Sequence, residues 1–156
     1  MKVLSALLLL LNLALASGCD HSYVADVSVS MPKHRWSYIN KVVAEVDIKD
    51  HTKTYDLFFT LRHTAAYRYG NIYILFHYQE PGKKPVTTRY EYQIAARDGR
   101  WLGAGSGNLY SYQLPLRKAH RFPRNGIYKL EIEQSMVDNP LHAISDAGIS
   151  VIERQD

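Results

Sequence analysis

The chain has one cysteine, Cys19, among its 156 residues. An internal disulfide is therefore excluded, and the fold must stand on its core. Its seven histidines, at 21, 34, 51, 63, 77, 120 and 142, form no H-x-H and no H-E-x-x-H. Spacing thus implies no metal site, and no cofactor is indicated. Runs of like charge are scarce. Lys83-Lys84 and Arg117-Lys118 are the only adjacent basic pairs, and there is no acidic tail. With a net charge of +4, falling by one if Lys2 is removed, nucleic acid is not an expected partner. Tryptophan and phenylalanine are sparse at two and four copies, against 12 tyrosines. Tyrosine suits strands and half-buried surfaces. Two readings follow: cross-strand packing, or an aromatic face for a glycan or a protein.

Apolar length is concentrated at the start. Met1-Lys2 precedes an apolar run from Val3 to Leu15, broken by Ser5 and Asn12, and then Ala16-Ser17-Gly18-Cys19. The run is too short and wrongly flanked for a spanning helix and fits a secretory signal. Three small residues before the thiol resemble the bacterial lipobox, with Ala16 where leucine is commoner. On that reading residues 1–18 are a lipoprotein signal peptide. Cys19 then becomes the acylated (palmitate-type) N-terminus and the lipid attachment to a membrane. Two or more acyl chains anchor stably. The alternative is ordinary cleavage after Ala14-Leu15-Ala16, which leaves Cys19 a free thiol. Residues 19–22 form a short tether. At about 3.3 Å per extended residue it holds the domain roughly 10 Å from the bilayer.

Residues 23–156 read as one domain of ordinary size. Period-2 alternation predicts strands over 42–48, 55–62, 72–79, 89–94 and 128–133, one beginning at Ile149, and a short edge strand over 23–29. The 72–79 strand looks buried on both faces. Turns are expected at 50–53, Pro81-Gly82, Asp98-Gly99, Asn125-Gly126 and Asn139-Pro140. No long 3.6-residue stripe is present. The expectation is all-β: a single antiparallel β-sandwich, jelly-roll or Ig-like, with a closed β-barrel as alternative.

Catalytic patterns are weak. Gly103-Ala104-Gly105-Ser106-Gly107 is neither G-x-G-x-x-G nor G-x-S-x-G, and reads as a bent loop. Glu131 and Glu133 share one strand face beside Lys129, as solvated residues do. Three segments stand out instead. Residues 61–72 join two strands through Arg62, Tyr67, Tyr69 and Asn71. Residues 98–103 place Trp101 just past the Asp98-Gly99 turn, and residues 122–136 follow. Loops with Arg, Tyr and Trp commonly concentrate binding energy. The candidate partner-binding residues are Arg62, Tyr67, Tyr69, Asn71, Asp98 and Trp101. The same aromatics could instead cap the ends of the sandwich.

These residues also carry a resemblance. Arg62, Tyr67, Tyr69 and Asn71, then Asp98-Gly99 with Trp101-Leu102-Gly103, Phe122-Pro123 and Gly126-Ile127-Tyr128 fall in order. Glu131-Ile132-Glu133-Gln134 with Met136, Pro140-Leu141 and Gly148 follow. Over residues 35–152 this arrangement resembles the GldH-type gliding motility lipoproteins of Bacteroidota. Val137 departs from it, standing where a basic residue is expected. The resemblance implies a non-enzymatic envelope lipoprotein of the gliding machinery and the linked type IX secretion apparatus. Its partners would be the membrane, through Cys19, and other gliding or secretion envelope proteins. Its location would be the cell envelope, on the periplasmic face of the outer membrane. The residues alone leave a second reading open: a glycan-binding module stacking sugars on Trp36, Trp101 and loop tyrosines. A hydrolase, the third, would need a pocket with a catalytic cluster.

Overall fold

The computed structural model describes residues 22–155. The signal segment and Cys19 lie outside the described residues. Eleven strands follow in order: β1 (Tyr23–Ser30), β2 (Arg35–Trp36), β3 (Val42–Ile48), β4 (Tyr55–Thr64), β5 (Asn71–Gln79), β6 (Val86–Gln93), β7 (Ala104–Ser106), β8 (Leu109–His120), β9 (Gly126–Gln134), β10 (Leu141–His142) and β11 (Ile144–Glu153). A 3-10 turn at Pro32–His34 precedes β2. Alternation dictates the sheets. β3 buries Val42, Ala44, Val46 and Ile48 and turns Val43, Glu45 and Asp47 outward. Such a strand covers a core with one face and meets water with the other.

One sheet runs β1-β11-β4-β8-β7 and the other β3-β9-β5-β6, with β10-β2 as a small addition. Every pairing is antiparallel. The two large sheets pack face to face as a β-sandwich and are not closed into a barrel. Between them lie Trp36, Phe59, Phe76 and Tyr128, with no exposed surface, and Tyr55 and Phe122 at 2 %. Each such burial contributes about 1.5–3 kcal/mol.

On the open side, β6 and β8 face each other without a ladder, and tyrosine hydroxyls span the gap. Tyr90 Oη donates to the Leu116 carbonyl and Tyr92 Oη to the Pro115 carbonyl, both at 2.8 Å. Tyr112 Oη donates back to the Ile94 carbonyl at 2.9 Å. Tyrosine therefore packs its ring in the core and satisfies backbone with its hydroxyl, which phenylalanine could not do.

Three local expectations change. β8 was not foreseen in the sequence. Its Pro115 reads as a strand breaker, but β7 pairs only with Leu109–Ser111, so the proline lies on an unpaired edge. A bulge at Leu116 follows it. The strand over 72–79 is buried on one face only. Its other face is half-covered, Arg89 lying 4.1 Å over the Tyr73 ring and Thr87 bonding His77. The 103–107 segment is not a plain loop: Ala104–Ser106 is β7, turning at Gly107 (φ +59) into β8.

Candidate functional site

The end of the sandwich where β4 stops and β5 starts gathers most of the residues singled out by sequence. His63, the second-last residue of β4, is fully buried there. Its ring stacks on Tyr112 and Tyr110 and meets Trp101 edge-on, with centroids at 5.4, 5.7 and 4.5 Å. Tyr67 lies at 5.0 Å on a tilted approach. Nδ1 donates to the Thr64 carbonyl at 2.8 Å, and Nε2 faces the Tyr112 hydroxyl at 3.2 Å. Burial lowers the pKa of this imidazole and keeps it neutral. It sits among aromatic faces and packs this end of the sandwich.

From this cluster a band of contacts crosses the end. Tyr67 touches Trp101 and Tyr69, at 6.2 and 5.8 Å between rings. The Tyr69 hydroxyl bonds Asp138, which raises its pKa. Beside it, Asn139 Oδ1 accepts from the Tyr38 N–H at 3.1 Å. The loops 37–40, 65–70, 96–103 and 135–140 are thus one continuous rim. It exposes large apolar side chains, with Tyr38 at 51 %, Ile39 at 73 %, Leu102 at 51 % and Val137 at 97 %, among the exposed Arg68, Arg97, Asp98 and Arg100. Nothing in the described chain covers them, and such a grouping is the mark of a contact surface.

The sequence candidates divide. Tyr69 and Asp98 lie on the rim, Asp98 fixing the turn by accepting from the Arg100 N–H at 3.1 Å. Gly99 takes φ +84, and Ala95 bridges Trp101 across the hairpin. Tyr67 is only 5 % exposed and donates to the Asn71 carbonyl, so its ring is core. Trp101 is half-buried against His63. Asn71 points away, donating to Glu91 at 2.7 Å on the outer face of the four-stranded sheet. Arg62 lies on the outer face of the other sheet. The sequence does not single out Tyr38 or Ile39, and it marks Val137 only as a departure from the family pattern. The available signal was two adjacent apolar residues, Tyr38-Ile39, inside a turn-rich stretch.

Arg62 borders a shallow groove of about 260 Å³ lined also by Ser28, Thr60, Ser111 and Asp146. Asp146 is 8 % exposed. Arg62 Nε donates to Oδ2 at 2.7 Å and Ser30 Oγ to Oδ1 at 2.9 Å. The Arg62 hydrogen bond chiefly, with Ser145 and Ser30 helping against burial, holds this carboxyl down to about 2. Gly148 beneath is tightly fitted, since a Cβ would stand 2.3 Å from Thr60 Oγ1 and 2.4 Å from the Val27 carbonyl. On the opposite sheet, Lys41 pairs with Glu133 at 3.1 Å and Lys129 with Glu131 at 2.8 Å. The two carboxylates there are neutralised partners. Among the described residues no group of three His, Cys, Asp or Glu could hold a metal ion, and no helix is long and apolar enough to cross a membrane.

Trp36 is fully buried, its Nε1 donating to the Asn40 carbonyl at 2.9 Å. It offers no surface for stacking a sugar. Most of the large aromatics pack inward, and Tyr38 is exposed within the rim.

The chain is 32 % identical to a "Gliding motility lipoprotein GldH homolog" of Christiangramia forsetii, over 97 % of this chain and 96 % of that one. It is 28 % identical to "Gliding motility lipoprotein GldH" of Flavobacterium johnsoniae over the full length of both. A solved structure, the infectious bursal disease virus VP2 subviral particle, aligns with 85 % of this chain and 31 % of its own. Its TM-score of 0.32 at 16 % identity carries no argument. The family model described as GldH lipoprotein matches residues 23–151. By that match, the chain belongs to the GldH lipoprotein family.

Proposed function

We propose that this protein is an envelope lipoprotein that supports gliding motility and the linked type IX secretion apparatus. It does so by holding another envelope protein, without catalysis. Residues 1–18 are removed and Cys19 carries the lipid that attaches the domain to the periplasmic face of the outer membrane. Tethering raises the local concentration of the domain at the bilayer, so modest contacts suffice for capture. The observation that carries this reading is the exposed apolar rim of Tyr38, Ile39, Leu102 and Val137. A protein partner fits such a surface better than a glycan, because Trp36 is fully buried and Trp101 is half-buried with its ring against His63.

The experiment is complementation of a strain lacking the gene, read on the proteins of the culture medium. The wild-type chain restores the type IX cargo. An Ile39→Asp/Val137→Asp variant accumulates in the membrane fraction at a normal level yet fails to restore it. An unchanged medium in the deletion strain, or full restoration by the rim variant, refutes the proposal.

A further inference from the structure

The other end of the sandwich is where the chain leaves toward its anchor. The Ser22 carbonyl accepts from the Glu153 N–H at 3.0 Å, so the tether emerges beside the end of β11. Three loops close this end and are tied together. Asn125 Oδ1 accepts from the His51 N–H at 2.8 Å, and its Nδ2 donates to the Lys49 carbonyl at 2.7 Å. Arg124 donates to the Pro81 carbonyl.

The charges of these loops do not cancel. Lys53 pairs with Glu153 and Lys83 with Glu80, both at 2.6 Å, and Lys49 pairs with Asp47. Asp50 is turned onto the backbone and hydroxyl of Thr52. The acidic groups are therefore used. Lys84, Arg121 and Arg124 are exposed and have no carboxylate partner among the described residues. This end also carries exposed apolar side chains: Tyr23 at 51 %, Val86 at 62 % and Ile127 at 58 %. Cations without a carboxylate partner, at the same end as an aromatic ring and aliphatic side chains, make up the composition that settles at a headgroup layer.

We infer that this end seats on the membrane. Lys84, Arg121 and Arg124 meet anionic phospholipid headgroups, and Tyr23, Val86 and Ile127 rest at the interface. The inference rests on lipid attachment at Cys19, proposed above. Three residues precede Ser22 from Cys19 onward, and they reach only about 10 Å, so the anchor keeps this end within reach of the headgroups while leaving its contact and tilt to the surface residues. Arg68, Arg97 and Arg100 lie at the far end, one strand length of about 30 Å away. Seating the near end stands the sandwich upright and turns the rim of Tyr38, Ile39 and Val137 toward the periplasm.

The test uses the lipidated protein reconstituted in phosphatidylcholine vesicles, with or without phosphatidylglycerol. Cys19 is the only cysteine, so once it is acylated Ile127→Cys or Ile39→Cys supplies a single site for a fluorescent label. With phosphatidylglycerol present, headgroup spin labels should quench the dye at 127 several-fold more than the dye at 39. Adding Lys84→Glu and Arg121→Glu, both at exposed loop positions, should bring the dye at 127 down to the level of the dye at 39. Equal quenching at both positions overturns the inference, as does quenching indifferent to phosphatidylglycerol and to charge reversal. The mass of the N-terminal peptide separates the two readings. An unmodified Cys19, with protein that does not float with vesicles, overturns the anchor and the seating with it. An acylated Cys19 with an unquenched dye overturns the seating alone.

Discussion

Replacing Asp146 by asparagine tests whether the outer-face ion pair stabilises the fold through charge. The folded carboxyl takes its proton only near pH 2, against an ordinary 3.8. Between those values the unfolded chain binds more protons, so lowering the pH favours unfolding. The contribution is thus complete above about pH 5, shrinks as the pH falls through 3.8, and is gone near 2. A depression of nearly two pKa units corresponds to about 2 kcal/mol, reduced by solvent screening to about 1–2 because the Arg62 side chain is 46 % exposed. The assay is urea unfolding across a pH series, followed by the fluorescence of buried Trp36. Wild type should exceed Asp146→Asn by about 1–2 kcal/mol at neutral pH and match it near pH 2. Arg62→Gln should show a similar loss, and the double variant should lose little more than either single one. A difference that stays constant with pH would refute the reasoning, since the loss would then come from shape rather than charge.

The tyrosine seam makes a second prediction. Tyr90→Phe and Tyr92→Phe each keep the ring and remove one hydroxyl from a β8 carbonyl, and each should cost about 1 kcal/mol in the same unfolding assay with unchanged denaturant slope. A third concerns His120, whose ring meets Phe122 edge-on at 4.7 Å and whose Nε2 lies 3.3 Å from the Tyr78 hydroxyl. Burial, then Arg117, lowers its pKa from 6.5 to about 4. The unfolded imidazole takes its proton first, so stability should fall by about 2–3 kcal/mol as pH drops through this window. His120→Gln should flatten that slope, with buried His63 supplying what remains.

Alternation carried the fold as far as alternation reaches. β3 and β9 show it cleanly in sequence because one face is core and the other faces solvent, whereas β5 carries apolar residues on both faces and has a half-covered outer side. β8 does not show it, because an edge strand tolerates Pro115 and a bulge that a central strand could not. The tyrosine excess was legible, but its cause was not: hydroxyls bonding carbonyls on the opposite sheet are long-range contacts that no local pattern encodes. The candidate rim was legible only in part on the same terms. Tyr69 and Asp98 do lie on the rim, while Tyr67 looks identical to Tyr69 in sequence and is core. Burial of a loop aromatic depends on what folds over it, here His63 and Trp101. The exposure of Ile39 and Val137 is equally a tertiary fact.

The hydroxyl seam between β6 and β8 has a consequence for molecules sharing one surface. Proteins fixed to a membrane collide in two dimensions, side to side and in a narrow range of orientations. An open strand edge would then nucleate chain-to-chain polymerisation far more readily than in bulk solvent. Here the Pro115 and Leu116 carbonyls are already taken by Tyr92 and Tyr90, and Pro115 offers no N–H. At that point of β8 an incoming strand meets no N–H at 115 and two carbonyls already bonded, which disfavours strand pairing there between crowded copies.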